Sequence, residues 1–303
     1  MSDPQTPATG EPVLPPSPSS GRRTAILGAL AAVVVVVVAI LLLTGGDDDS
    51  TPATATTARS SKPLVVGASP VPHAEILEHV AEDLAPKAGL KLEVKTYDDY
   101  VQPNVALEEG TLDANYFQHV PYLDAQKKEN PEYDDLVSLA PVHLEPLGLY
   151  SKKVDDVADV PSGATVTLSD DPANQARGLR LLQQAGLLTL KPDAGDEATP
   201  RDVAENPKDL TFKAIAPANL PRTLDDSDLA VINGNYAIEA GLKPASDALL
   251  LEEAKGNPYS NLLVVRADRR DDPRIAKLEE LLHSPEVKAF IERKYQGSVI
   301  PSS

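Results

Sequence analysis

At 303 residues and 42% hydrophobic content, the chain is long enough for one large domain or two ordinary ones with a true core. Its 46 acidic residues against 28 basic ones leave a formal net charge of -18. That balance argues against a nucleic-acid binder, which needs Lys and Arg to displace phosphate counterions. The absence of cysteine excludes a disulfide framework, a thiolate metal site, a cysteine nucleophile and a cysteine-borne lipid anchor.

Residues 1–24 open with a run of Pro, Ser and Thr whose few apolar groups cannot offset chain entropy, and they read as a disordered tail. From Ala25 to Leu43 every residue is apolar or Gly, and 19 residues of helix span roughly 28 Å, close to the hydrocarbon thickness of a bilayer. Arg22 and Arg23 precede this segment and Asp47, Asp48 and Asp49 follow it, so the positive-inside rule puts the N-terminus in the cytoplasm and the bulk outside. A cleaved signal peptide is the alternative, but the apolar run is long for one and ends without a small-x-small site. The expectation is an anchor over residues 25–44, followed by a flexible tether over 45–62.

Residues 63–303 alternate strand-like and helix-like segments. Strands are predicted at Leu64 to Val66 and at Leu92 to Val94; between them a helix carries Ile76, Leu77, Val80, Ala81 and Leu84 and stops at Gly89. A short helix is predicted over Asn104 to Glu109, a strand over Leu112 to Gln118 and a helix over Tyr122 to Glu129. An extended stretch runs from Leu136 to Tyr150. The rhythm then restarts with strand Thr165 to Leu168, helix Asn174 to Ala185, strand Leu210 to Ile215, helix Leu220 to Leu224 and strand Leu229 to Ile232. Strand Leu262 to Val265 and two helices close the chain, the second with Ser284 as N-cap and Pro285 at its first position. Two such series joined by an extended connector predict an α/β fold of two lobes, about 63–148 with 250–303 and about 149–249, with a cleft between them.

Candidate site residues each carry an ordinary structural alternative. Asn174 and Arg177 share a face at the start of a helix that follows a strand, where N–H groups, the helix dipole and a guanidinium suit a carboxylate; Arg177 reads equally as a solvated surface arginine. Glu145 sits in an apolar extended stretch and needs a partner, either a ligand ammonium or a structural cation. Asn233 and Asn235 flank Gly234 at the end of a buried strand, where ligands collect in open sheets and where turns also form. Asn261 lies between Pro258-Tyr259 and the strand expected from Leu262, as a site residue or as a strand cap. Tyr116, Phe117, His119 and Tyr122 concentrate aromatics in a chain with only 4% of them, as a pocket wall or as core, and Tyr97 and Tyr100, ahead of Pro103-Asn104, carry the same two readings. No phosphate loop, GxSxG elbow or HExxH occurs. His119, His143 and Glu145 are a minor metal alternative, and Ser69 with His73 is the nearest nucleophile and base for an exported hydrolase.

The segments Leu112-Asp113-Ala114-Asn115-Tyr116-Phe117-Gln118-His119, Asp171-Pro172-Ala173-Asn174 with Arg177, Leu220-Pro221-Arg222-Thr223-Leu224-Asp225-Asp226 and Asn257-Pro258-Tyr259-Ser260-Asn261-Leu262-Leu263-Val264 resemble the signatures of the NlpA-type methionine-binding lipoproteins. The resemblance runs in order from about Leu64 to Ser303. It implies the type II periplasmic-binding-protein fold and the extracytoplasmic solute receptor of an ABC importer, serving a permease and its ATPase, with no cofactor and no catalysis. The implied ligand is L-methionine, with D-methionine or a methionine-containing dipeptide as alternatives. By the same resemblance Tyr100, Phe117 and His119 wall the thioether side chain and Glu145 and Asn174 meet the polar end. Arg177 binds the carboxylate, and Asn233 and Asn261 hydrogen-bond the zwitterion. The family is usually anchored through a lipidated cysteine; here the Ala25 to Leu43 helix is expected to take that role at the cell membrane.

Overall fold

The structure, a computed structural model, describes residues 62–302. The expected tail, anchor and most of the tether lie outside the described residues. Among the described residues no helix is long and apolar enough to cross a membrane.

Two sheets organise the domain. The first contains β1 (Leu64–Ala68), β2 (Leu92–Thr96), β3 (Ala114–His119), β4 (Leu136–Leu144), β12 (Asn261–Arg266) and β13 (Ile300–Pro301), in the order β13-β4-β12-β3-β1-β2. Its β1, β2 and β3 are parallel, while β12 runs antiparallel to both β3 and β4. The second contains β5 (Gly148–Tyr150), β6 (Thr165–Ser169), β9 (Thr211–Ile215), β10 (Leu229–Ile232) and β11 (Leu250–Leu251), in the order β11-β5-β10-β6-β9. A small pair, β7 (Thr189–Leu190) with β8 (Val203–Glu205), lies apart from both.

The apolar runs are continuous because each sheet is covered on both faces. In the first, Leu64, Val66, Leu263 and Val265 join one core with Ile76, Leu77, Val80, Ile275, Leu278, Val287 and Ile291, so the closing helices do return to this lobe. Leu262 and Val264 point the other way, with Leu107, Leu112, Leu123 and Leu136. In the second, Val166, Leu168 and Val231 pack on Leu179 and Leu182, while Ala230 and Ile232 pack on Tyr150, Leu220 and Leu224.

The chain crosses between the lobes twice, through 145–147 and through 252–260. Leu250–Leu251 was expected with the first lobe, yet it pairs with Gly148 and Leu149 in the second, because the free edge of β5 takes it as a neighbour. Other elements move by a few residues. The helix expected from Asn174 begins at Pro172, capped by Asp171, and runs to Gln184. The segment expected as an α-helix over Leu220 to Leu224 is a 3₁₀ stretch, Pro217–Asp225, since Pro221 inside it cannot donate an α-type bond. A short helix, Gly234–Glu239, stands where only a turn or strand edge was read.

Candidate functional site

Where the two lobes meet, side chains from both line a cavity whose empty volume, counted out to its open mouth, is ≈ 330 Å³. All eight residues that the family resemblance assigns to the ligand line it: Tyr100, Phe117, His119, Glu145 and Asn261 from the first lobe and its crossover, and Asn174, Arg177 and Asn233 from the second; Tyr116 and His143 do not. Gln118, Tyr122, Gly234 and Asn235 line it as well. Of these, Tyr122 and Asn235 stood among the sequence candidates. Gln118 falls inside the Leu112 to His119 motif without having been singled out, and its side-chain amide bonds Asn104 and Asn115 in a buried triad.

Arg177 is 3% exposed, which overturns the surface-arginine alternative. Its guanidinium is not a lone charge, however. Nε donates to both carboxylate oxygens of Glu252 at 3.1 Å, and Nη2 donates to Glu252 Oε2 at 2.6 Å and to the Glu145 carbonyl at 2.9 Å. The Tyr259 ring lies 4.3 Å from its central carbon. A buried guanidinium without such partners would be costly. Nη1 keeps no protein partner among the described residues. Glu145 and Glu252 sit on the two crossovers, so one arginine from the second lobe grips both connecting segments.

The helix start also differs from expectation. The Asp171 carboxylate accepts from the Asn174 backbone N–H at 2.9 Å and from Asn174 Nδ2 at 3.1 Å. That end of the helix is therefore already served by an internal anion. Asn174 Oδ1 meanwhile accepts from Asn233 Nδ2 at 2.9 Å and faces His119 Nε2 at 3.3 Å.

Glu145 lies in a second buried set. Oε1 is 2.8 Å from His143 Nε2 and 3.2 Å from His73 Nε2. A carboxylate accepts, so both imidazoles donate from Nε2, and His143 Nδ1 is left to accept from the Tyr116 hydroxyl. Burial holds His73 neutral, down to about 4, and His143 to about 3; it pushes Glu145 up, against the pull of His73, Arg177 and the Asn235 N–H. His73 Nε2 also reaches Asn261 Oδ1 at 3.0 Å, which leaves the Nδ2 group of this cavity-lining residue for another partner.

His119 does not join Glu145 and His143. Its Nδ1 accepts from the Tyr122 N–H and its Nε2 faces Asn174, while burial, with Arg177 adding, lowers it to about 3. The residues that do converge are His73, His143 and Glu145, whose ligand atoms lie within 4.8 Å of one another, with each imidazole Nε2 engaged by the Glu145 carboxylate. Ser69 and His73, the hydrolase pair, make no hydrogen bond to one another, are 2% and 1% exposed, and lie outside the cavity lining.

The lobes touch across the cleft through Tyr100 Oη to Asn235 Oδ1 at 2.6 Å, Tyr236 Oη to the Asp98 carbonyl at 3.1 Å, and His119 to Asn174. The aromatic wall is continuous, with Tyr100 ring centroids 5.9 Å from Phe117 and 5.8 Å from Tyr122.

Two α/β lobes with two crossovers, closed over a crevice that offers one guanidinium, several amides and an aromatic wall, define a periplasmic-binding-protein fold. The chain belongs to the NlpA lipoprotein family, whose model matches residues 64–303. It is 45% identical over 245 residues to the methionine-binding lipoprotein MetQ of Bacillus subtilis, covering 80% of this chain and 89% of that one. It is 41% identical over 229 residues to the D-methionine-binding lipoprotein MetQ of Escherichia coli, covering 75% and 82%. Among solved structures, a nutrient binding protein from Burkholderia cenocepacia bound to methionine superposes with a TM-score of 0.76 at 44% identity, covering 79% of this chain and 100% of that one.

Proposed function

We propose that this protein is the extracytoplasmic solute receptor of an ABC importer for methionine. One observation carries the reading: eight residues drawn from separate segments converge on one cavity, and the arginine among them keeps a guanidinium nitrogen uncommitted. In this reading Arg177 Nη1 and Asn261 Nδ2 take the ligand carboxylate. Asn233 Oδ1 and the Glu145 carboxylate face the ammonium, and Asn174 holds Asn233 in place. Tyr100, Phe117 and His119 wall the side chain. A charge-assisted contact contributes about 1.5–3 kcal/mol and a sulfur–aromatic contact about 0.3–1.5 kcal/mol, so the cavity's shape supplies much of the selectivity. No bond is broken; closure of the two lobes on the ligand is the event a permease and its ATPase would sense. The relatives from Bacillus subtilis and Escherichia coli and the methionine-bound Burkholderia structure support methionine as the ligand; among its forms the proposal takes L-methionine, with the D-isomer and a methionine-containing dipeptide as alternatives.

The sequence contains no cysteine to lipidate, and the Ala25 to Leu43 segment serves in this proposal as a single-pass tether that keeps the receptor near its permease. Mass spectrometry of the small molecule released on denaturing freshly purified protein tests the ligand. Methionine supports the proposal; release of another solute, or no rise in melting temperature across an amino-acid panel, overturns it. Intact mass of membrane-extracted protein tests the tether, which is lost if the protein begins after Leu43.

A further inference from the structure

We infer that the Asn235 side-chain amide donates through Nδ2 to the thioether sulfur of the bound ligand, and so separates methionine from an all-carbon side chain of the same shape. The inference rests on the methionine reading above and assigns it a further specificity-determining residue. Asn235 is 2% exposed and lines the cavity. Its Oδ1 accepts from the Tyr100 hydroxyl at 2.6 Å, which turns Nδ2 away from the phenol. Nδ2 is buried and has no hydrogen-bond partner among the described residues.

A buried amide N–H left unpaired is costly, and nearly all such groups in folded proteins find a partner. The partner must therefore come from the occupant of the cavity. Chemistry narrows which atom of that occupant it meets. An ammonium has no lone pair to offer. The carboxylate belongs with Arg177, which is held by Glu252, the Glu145 carbonyl and Tyr259. Asn235 is instead fixed by Tyr100, whose ring stands in the aromatic wall 5.0 Å from Tyr236 and 5.9 Å from Phe117. At that wall the remaining acceptor on methionine is its sulfur, a weak one.

The test compares L-methionine with L-norleucine, in which a methylene replaces the sulfur, by calorimetry on the full chain. The wild type is expected to prefer methionine. In Asn235→Ala the ratio of the two affinities is expected to fall by about fivefold, the size of one net hydrogen bond, with norleucine binding changed far less. Tyr100→Phe leaves Asn235 in place but releases its amide to rotate, and is expected to narrow the same ratio; it keeps the test open if Asn235→Ala does not fold. Equal weakening of both ligands in these variants, no change in either, or no wild-type preference overturns the sulfur contact. If instead Arg177→Ala leaves both affinities unaltered, it is the amino-acid reading itself that fails.

Discussion

Arg177 shows how much a buried charge must be supported before it can serve a ligand. Glu252 neutralises it, Tyr259 covers one face and the Glu145 carbonyl takes a further N–H, which leaves Nη1 aimed with little freedom. Arg177→Ala is expected to lower methionine affinity by roughly tenfold to a hundredfold, the value of a charge-assisted contact. The same change strands Glu252, which is only 14% exposed, so the unliganded protein should also melt earlier. Calorimetry and thermal unfolding read the two effects separately. Affinity within twofold of wild type would remove the carboxylate from this residue.

At the level of the element, the connection between β10 and the Gly234–Glu239 helix has no room for a side chain. A Cβ at Gly234 would stand 2.8 Å from Glu145 Cβ and 3.2 Å from its Oε2. Gly234→Ala is therefore expected to push Glu145 off its imidazole partners, cost about 1–3 kcal/mol of stability and weaken ligand binding. Denaturant midpoints together with calorimetry check it, and wild-type values in both would show that the contact yields. The Pro172–Gln184 helix makes a second case. Asp171 caps it and orients the Asn174 amide, so Asp171→Ala is expected to cost about 1 kcal/mol through the cap and to reduce affinity as well. A stability loss with unchanged affinity would mean that Asn174 keeps its orientation without the carboxylate.

For the whole molecule, pH dependence follows from three histidines kept neutral by burial. His73, His119 and His143 titrate near 4, 3 and 3 in the fold, against about 6.5 in the unfolded chain. Below pH 6.5 the unfolded state takes up protons that the native state refuses. Stability therefore falls as pH drops from about 6.5 toward 4, by up to about 1.4 kcal/mol per pH unit for each histidine. Glu145 and Asp171, raised by burial, work in the opposite sense and offset part of this. The expected result is a melting temperature that declines between pH 6.5 and 4.5 and declines less in His143→Gln; a flat profile would contradict neutral buried imidazoles. Ligand binding acts on the same equilibrium. Methionine at a hundred times its Kd should add about 2.7 kcal/mol to unfolding, because only the closed native cavity binds it.

Much of this organisation is legible along the chain because it is written in local patterns. Buried strands read as apolar runs ended by Gly, and Ser284 with Pro285 marks a helix start that the structure keeps. The cavity-lining residues were legible for another reason: Phe117 and His119, Asn174 and Arg177, and Asn261 fall inside motifs shared with a family, and such motifs carry position as well as composition. What no local pattern holds is pairing over distance. Arg177 meets Glu252 across 75 positions and His73 meets Asn261 across 188. Leu250–Leu251 joins the second sheet only because β5 offers it a free edge. Local pattern and shared motif therefore suffice for the two α/β lobes and for most of the residues gathered at their junction. Which charges cancel and which amide group is left unpaired follow from the direction of side chains that meet only once the chain has folded, as Glu252 does with Arg177.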